Sequence, residues 1–132
     1  MARPIVPSLK VPFHKTLGIT SVDPAQGDAS ALTIEISAPH FNTRNVAHGG
    51  VLMTILDAAV CRAARNADPE KRPVATVELK TTFMQPGAGR LVAKGTCLHR
   101  TPSMAFCEAE VRDGDDKLIA RGSATLRYLR TA

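Results

Sequence analysis

The stretch His40-Phe-Asn-Thr-Arg-Asn-Val-Ala-His-Gly-Gly-Val-Leu-Met-Thr-Ile-Leu-Asp57 decides how the rest of the chain is read. It begins as a polar connection, Pro39 to Ala47, that holds Asn42 and Asn45 and shows no periodicity. It ends inside a helix. From Gly49 to about Asn66, residues Leu52, Ile55, Leu56, Ala59, Val60 and Ala63 recur at intervals of three and four and define one apolar stripe. Asp68-Pro69 stops that pattern. Gly49 and Gly50 stand at its start, where glycine is a poor helix former, so something other than propensity asks for them. The first helical turn has N–H groups without intrahelical partners and the positive end of the dipole. An amide unshielded by a Cβ can point at a ligand oxygen there, and becomes an oxyanion donor if charge develops on that oxygen. A glycine turn that merely redirects the chain accounts for the same residues.

Asp57 projects about 140° from the centre of the apolar stripe. Its companions on that face are Gly50, Met53, Cys61 and Ala64, and no Lys or Glu stands three or four residues away to make a solvated ion-pair ladder. The alternative is a lone surface Asp, but a face so uncharged is expected to be covered. The expected cover is a second subunit, with Asp57 desolvated or tied to a specific partner. Gly49 and Asp57 are also separated by two turns, about 12 Å along the axis, too far for one reacting carbon to touch both. If they act on the same bond, they come from different subunits whose helices lie antiparallel across a two-fold axis.

Working outward, Met1 to His14 carries Pro4, Pro7 and Pro12 and is expected to be an extended or disordered arm, with a single domain over residues 15–132. Leu17 to Val22 and Ala31 to Ser37 show short strand patterns separated by Pro24 to Asp28. Four more follow the helix: Val74 to Met84, Leu91 to Leu98, Ala105 to Arg112 and Leu118 to Tyr128. Pro86 to Gly89 and Asp113 to Asp116 read as hairpin turns, so these strands are expected to be antiparallel. Alternation places Val77, Leu79 and Phe83 on one face against Thr76, Glu78, Lys80 and Thr82 on the other. The economical packing is α+β, with one antiparallel sheet of five to six strands curled around one long helix.

The 132 residues are 44% hydrophobic and 22% charged, the balance of one globular domain. With 4% aromatics and no Trp, its core must rest on aliphatic residues. No apolar run reaches the ~18 residues of a membrane span, and the start lacks the apolar stretch of a signal peptide, so a cytoplasmic protein away from membranes is expected. Cys61, Cys97 and Cys107 lack CxxC spacing and read as reduced core residues. A net charge of +5 favours a polyanionic partner. Lys80, Arg90, Lys94 and Arg100 fall in a segment without acids, which suits the phosphates of a small ligand. Duplex nucleic acid usually wants a denser basic stripe with a recognition helix or stacking aromatics, so none is expected here.

Taken together, Asn42, then His48-Gly49-Gly50, then Asp57, with four strands after them, resemble the hotdog-fold thioesterases, specifically the phenylacetyl-CoA thioesterase-like group. The resemblance covers Leu17 to Tyr128 and implies a hotdog fold and hydrolysis of a small to medium, or aromatic, acyl-CoA. It implies that Asp57 attacks the thioester carbon or activates water, and that the Gly49 amide polarises the carbonyl. Asn42 supports the oxyanion side, and His48 lies beside the thioester. Thr76, in Ala75-Thr76-Val77-Glu78, aligns with a hydroxyl that positions the water or carboxylate; a plain sheet Thr is the other reading. Asn45 replaces a Gly found in many members, and Asn is the residue that best tolerates a left-handed backbone after Gly. Arg90, Arg100 and Ser103 are candidates for the nucleotide end of CoA. No metal and no cofactor beyond the CoA of the substrate are implied, and His14, His40 and His99 take no family role. A homodimer or dimer of dimers is implied. The competing reading is a non-catalytic acyl-CoA-binding or sensing module, expected to lack the Asp.

Overall fold

The computed structural model describes residues 11–28 and 30–130. Most of the expected arm, residues 1–10, lies outside them, but its described end is not extended. Pro12–Leu17 forms a short helix, α1. Pro12 takes the first helical position, where a missing N–H is no loss, and Gly18 closes the helix in the left-handed conformation, φ 82°. Three prolines were a sign of extended chain; one of them instead starts a helix. The first strand pattern therefore shrinks to β1, Thr20–Ser21, followed by β2, Leu32–Glu35.

The long helix, α2, spans Gly49–Ala67 and buries Leu52, Ile55, Leu56, Ala59 and Val60 as its stripe dictates. Ile55, Leu56 and Val60 are fully buried, each stabilising the fold by roughly 1.5–3 kcal/mol relative to exposure. The remaining strands are β3 (Val74–Phe83), β4 (Arg90–Arg100), β5 (Met104–Arg112) and β6 (Leu118–Tyr128). All pairings are antiparallel, in the order β1-β2-β4-β5-β6-β3. The sheet wraps α2, which packs on β2 through β6, in the hotdog arrangement. Gly95 of β4 lies directly beneath the Ala59 carbonyl, where any Cβ would collide with it, so helix and sheet touch there at backbone distance. Among the described residues, no helix is long and apolar enough to cross a membrane.

Two details of the strand reading are corrected. Pro86 to Gly89 is not a hairpin: β3 and β4 are separated in the sheet by β5 and β6. The segment instead crosses beneath the start of α2, with Ala47 N–H donating to Gly87 O and Ile36 N–H to Gly89 O. A Pro-Gly pair reports a chain reversal, not which strand comes next in the sheet. Asp113 to Asp116 does join neighbours, β5 and β6, and a second hairpin turn at Thr101–Ser103 joins β4 to β5.

The second correction concerns phase. Strand β3 holds one extra residue, Val77: Thr76 pairs with Leu126 while Glu78 pairs with Thr125. Val77 is thereby turned outward, 61% exposed, and Thr76 joins the helix-facing side with Val74 and Leu79. Uninterrupted alternation had put Thr76 on the opposite face. A similar bulge at Leu98 in β4 turns Arg100 inward.

Candidate active site

Asp57 sits halfway along α2 and is only partly exposed. The Thr76 hydroxyl donates to Asp57 Oδ1 at 2.6 Å. One turn farther along the helix, Cys61 Sγ lies 3.3 Å from Thr76 Oγ1 and 3.8 Å from Asp57 Oδ1. Because the Thr76 proton is given to Asp57, the Thr76 oxygen is free to accept from the thiol. Burial pushes the Cys61 thiol up to about 11, so at neutral pH it is an S–H donor and not a thiolate. The ion pairs among the described residues all lie elsewhere. Asp57 is thus held through one oxygen by a neutral hydroxyl, and its side chain lines a cavity of about 350 Å³ together with Phe13, His14, Met53, Thr76 and Leu79. The covered part of the Asp57 face is covered by β3; toward the helix start it is open, with Met53 42% exposed.

Gly49 occupies a different cavity, about 390 Å³, with Asn42, Arg44, Leu52 and Phe83. The helix begins with His48 as its cap: Gly50 N–H donates to His48 Nδ1 at 2.9 Å, so the imidazole does the work usually given to Ser or Asp. The Gly49 N–H has no acceptor among the described residues. Asn42 shapes the loop before the helix, its Oδ1 accepting from the Arg44 and Val46 amides at 2.8 and 3.3 Å, while its NH₂ has no acceptor among the described residues; it lines the same cavity as Gly49. Asn45 has φ 58°, the left-handed conformation expected of it. Glycine at 49 also has a steric reason, since a Cβ would come within 3.3 Å of the Phe83 ring.

Within one protomer the expected residues therefore fall into two groups. Asp57 and Thr76 share one cavity, Gly49 and Asn42 share another, and His48 caps the helix next to Gly49 and lines neither. The three residues suggested for CoA are more scattered. Arg90 and Arg100 stand at opposite ends of β4, about 33 Å apart. Arg90 is exposed, touching Thr33 Oγ1 at 3.3 Å. Arg100 is turned inward, 3.1 Å from Asp68 Oδ1 and 3.0 Å from Tyr128 Oη. Ser103 is an exposed turn residue whose carbonyl accepts from the Tyr128 amide.

Sequence reasoning missed three things. Phe13 and His14 reach the Asp57 cavity because α1 is a helix; nothing in a proline-rich arm signalled that. The Cys61 link was foreshadowed only by its place four residues after Asp57. Asp68, read simply as a helix stop, is 2% exposed and binds both Arg72 (2.9 Å) and Arg100 (3.1 Å). The Arg72 guanidinium, with backbone amides beside it, holds the Asp68 carboxyl down to about 2. A larger hollow on the outer sheet face, about 470 Å³ beside Lys94, Glu108, Glu110 and Arg112, is lined by charges that pair with neighbours.

A family model described as the thioesterase superfamily matches residues 44–120, which include Gly49, Asp57 and Thr76. A putative esterase of Halobacterium salinarum is 25% identical over 130 residues, covering 92% of this chain and 73% of its own. Among solved structures, a Bacillus halodurans protein crystallised with CoA superposes with TM-score 0.78 at 22% identity, covering 89% of this chain and 75% of that one. The Escherichia coli PaaI protein from the phenylacetic acid degradation operon gives TM-score 0.80 at 19% identity, covering 93% of this chain and 88% of that one. At such identities the two structural likenesses speak for the fold.

Proposed function

The chain belongs to the thioesterase superfamily, and from that premise we propose that it hydrolyses acyl-CoA thioesters of small to medium or aromatic acids, with Asp57 as its reacting carboxylate. The observation that carries this reading is the carboxylate itself, fixed by Thr76 through Oδ1, lining a cavity and, among the described residues, taking part in no ion pair. A group so held either attacks the thioester carbon directly or takes a proton from water as that water attacks. In both cases negative charge develops on the carbonyl oxygen. The unengaged Gly49 amide at the positive end of α2 is the donor suited to it, with the Asn42 NH₂ alongside. His48 fixes the backbone on which that amide sits. The thiol of CoA leaves, and no cofactor is required beyond the CoA of the substrate.

About 12 Å separates the two groups along α2, so one thioester takes its carboxylate and its oxyanion donor from different subunits. Support comes from the sheet edge. β3 is ten residues long and, among the described residues, pairs on one side alone, with β6, so that its other side forms a sheet edge near the exposed Met53 and Phe83. A second copy is the simplest cover, giving a homodimer or a dimer of dimers. For the nucleotide end we keep Arg90 and Ser103 as exposed candidates, and Arg100 only through the part of its guanidinium that Asp68 leaves open. The three free cysteines suit a reducing cytoplasm.

The test is release of free thiol from a panel of acyl-CoA esters, followed by subunit mixing. Gly49→Pro removes the amide at the one helical position that accepts proline, after a residue already extended at ψ 140°. Mixed with Asp57→Asn, a shared site regains activity toward about one quarter of wild type once subunits exchange. No recovery after demonstrated exchange means that each protomer works alone. A protein that binds acyl-CoA without releasing thiol is a sensing module instead.

A further inference from the structure

We propose that α1 is the acyl-selecting element of this chain, with Phe13 forming, together with Met53 and Leu79, the apolar wall that receives the acyl group while Asp57 meets the thioester. This rests on the reading of Asp57 as the hydrolytic carboxylate and adds to it the part of the protein that chooses the substrate.

Three observations converge on it. Phe13 and His14 line the same cavity as Asp57 and Thr76. The core does not require an aromatic residue there: no residue of α1 is buried, and Phe13 is 56% exposed. A large apolar side chain left at the mouth of a cavity that holds a reactive group is a surface waiting for an apolar ligand.

The helix is nevertheless fixed in place. Ile19, buried just beyond it, donates its N–H to His14 O at 2.9 Å. His40 is buried, accepts from the Ser37 amide through Nδ1 at 3.0 Å, and so donates through Nε2 to Leu17 O at 2.7 Å. That imidazole pins the end of α1 to the loop leading into the catalytic helix.

Size narrows the ligand. A cavity of about 150 Å³ holds a benzene ring, and the one here, about 350 Å³, has room for a single ring or a medium chain together with the ester group.

The experiment compares wild type, Phe13→Ala and Phe13→Leu on acetyl-CoA, octanoyl-CoA and phenylacetyl-CoA, with thermal melts as the folding control. Phe13→Ala is expected to lower kcat/KM for the two bulky esters by about tenfold or more, chiefly through KM. Acetyl-CoA, too short to reach the wall, changes by less than about twofold. Phe13→Leu is expected to recover most of the octanoyl activity. An equal fall on all three esters makes α1 a mere structural support and overturns the inference, as does an unchanged ratio. In either case hydrolysis by wild type leaves the thioesterase reading standing, whereas no thiol release from any ester removes both.

Discussion

Asp57 and Asp68 are carried by the same helix, about three turns apart, and live in opposite surroundings. Asp68 closes α2 and is almost wholly buried, with two guanidinium groups and two backbone amides on its oxygens. The Tyr128 ring supports both arginines, at 4.6 Å from Arg72 Cζ and 5.2 Å from Arg100 Cζ, and its hydroxyl donates to Ala64 O at 2.6 Å. Nothing on that carboxylate is left for a substrate. Asp57 accepts from the Thr76 hydroxyl on one oxygen, with the Cys61 thiol behind that hydroxyl, and lines a cavity with its side chain. A buried, doubly paired acid ties helix to sheet; an acid held by one hydroxyl keeps oxygen lone pairs open to a ligand. Sequence alone offers two aspartates on one helix, and their partners separate the roles.

That contrast can be broken most directly by Asp57→Asn. It is expected to cut thioester hydrolysis by about 10²–10⁴-fold with little change in Tm; a large loss of Tm would make Asp57 a second structural acid. Thr76→Val, which removes the donor, is expected to lower kcat/KM by about 10- to 100-fold, the range for a hydrogen bond to a charged group. Thr76→Ser should keep most of the activity.

Asp68→Asn sharpens the other side: Tm falls by several degrees, because two arginines lose their counter-ion, while activity stays within about twofold. The same pair sets an acid limit. Its carboxyl is held below the ordinary 3.8, at about 2, so the unfolded chain binds its proton first as pH drops. The stabilisation is complete above about pH 4 and lost as pH falls through about 2. Acid titrations of stability should show wild type losing more than Asp68→Asn across that window.

The smallest effect belongs to Cys61. Loss of its weak S–H donor in Cys61→Ala is expected to cost about two- to threefold in kcat/KM. Mass spectrometry should find the native thiol unalkylated at neutral pH, as a group pushed up to about 11 requires; rapid alkylation would contradict the hydrogen-bonded chain.

Local rules sufficed for α2, whose stripe, glycine start and Asp68 stop are all found as read, and for the left-handed turn at Asn45. The spacing of Gly49 and Asp57 was equally legible, since a helix converts residue count directly into distance. They failed where one residue changes phase. The bulge at Val77 turns Thr76 toward Asp57, and the bulge at Leu98 turns Arg100 toward Asp68. An extra residue in a strand is visible only against its partner strand, and that pairing is set by the whole sheet. Pro86-Gly87 failed for the same reason, because a turn cannot name the strand that will neighbour it, and α1 because prolines permit a helix start as readily as an extended arm. The sequence by itself determined the long helix α2 and the separation of Gly49 from Asp57 along it, because both follow from backbone geometry repeated every few residues. Which side chains meet them, and so which aspartate is tied up in ion pairs, was decided only by tertiary structure, where contacts between residues far apart in the chain depend on register.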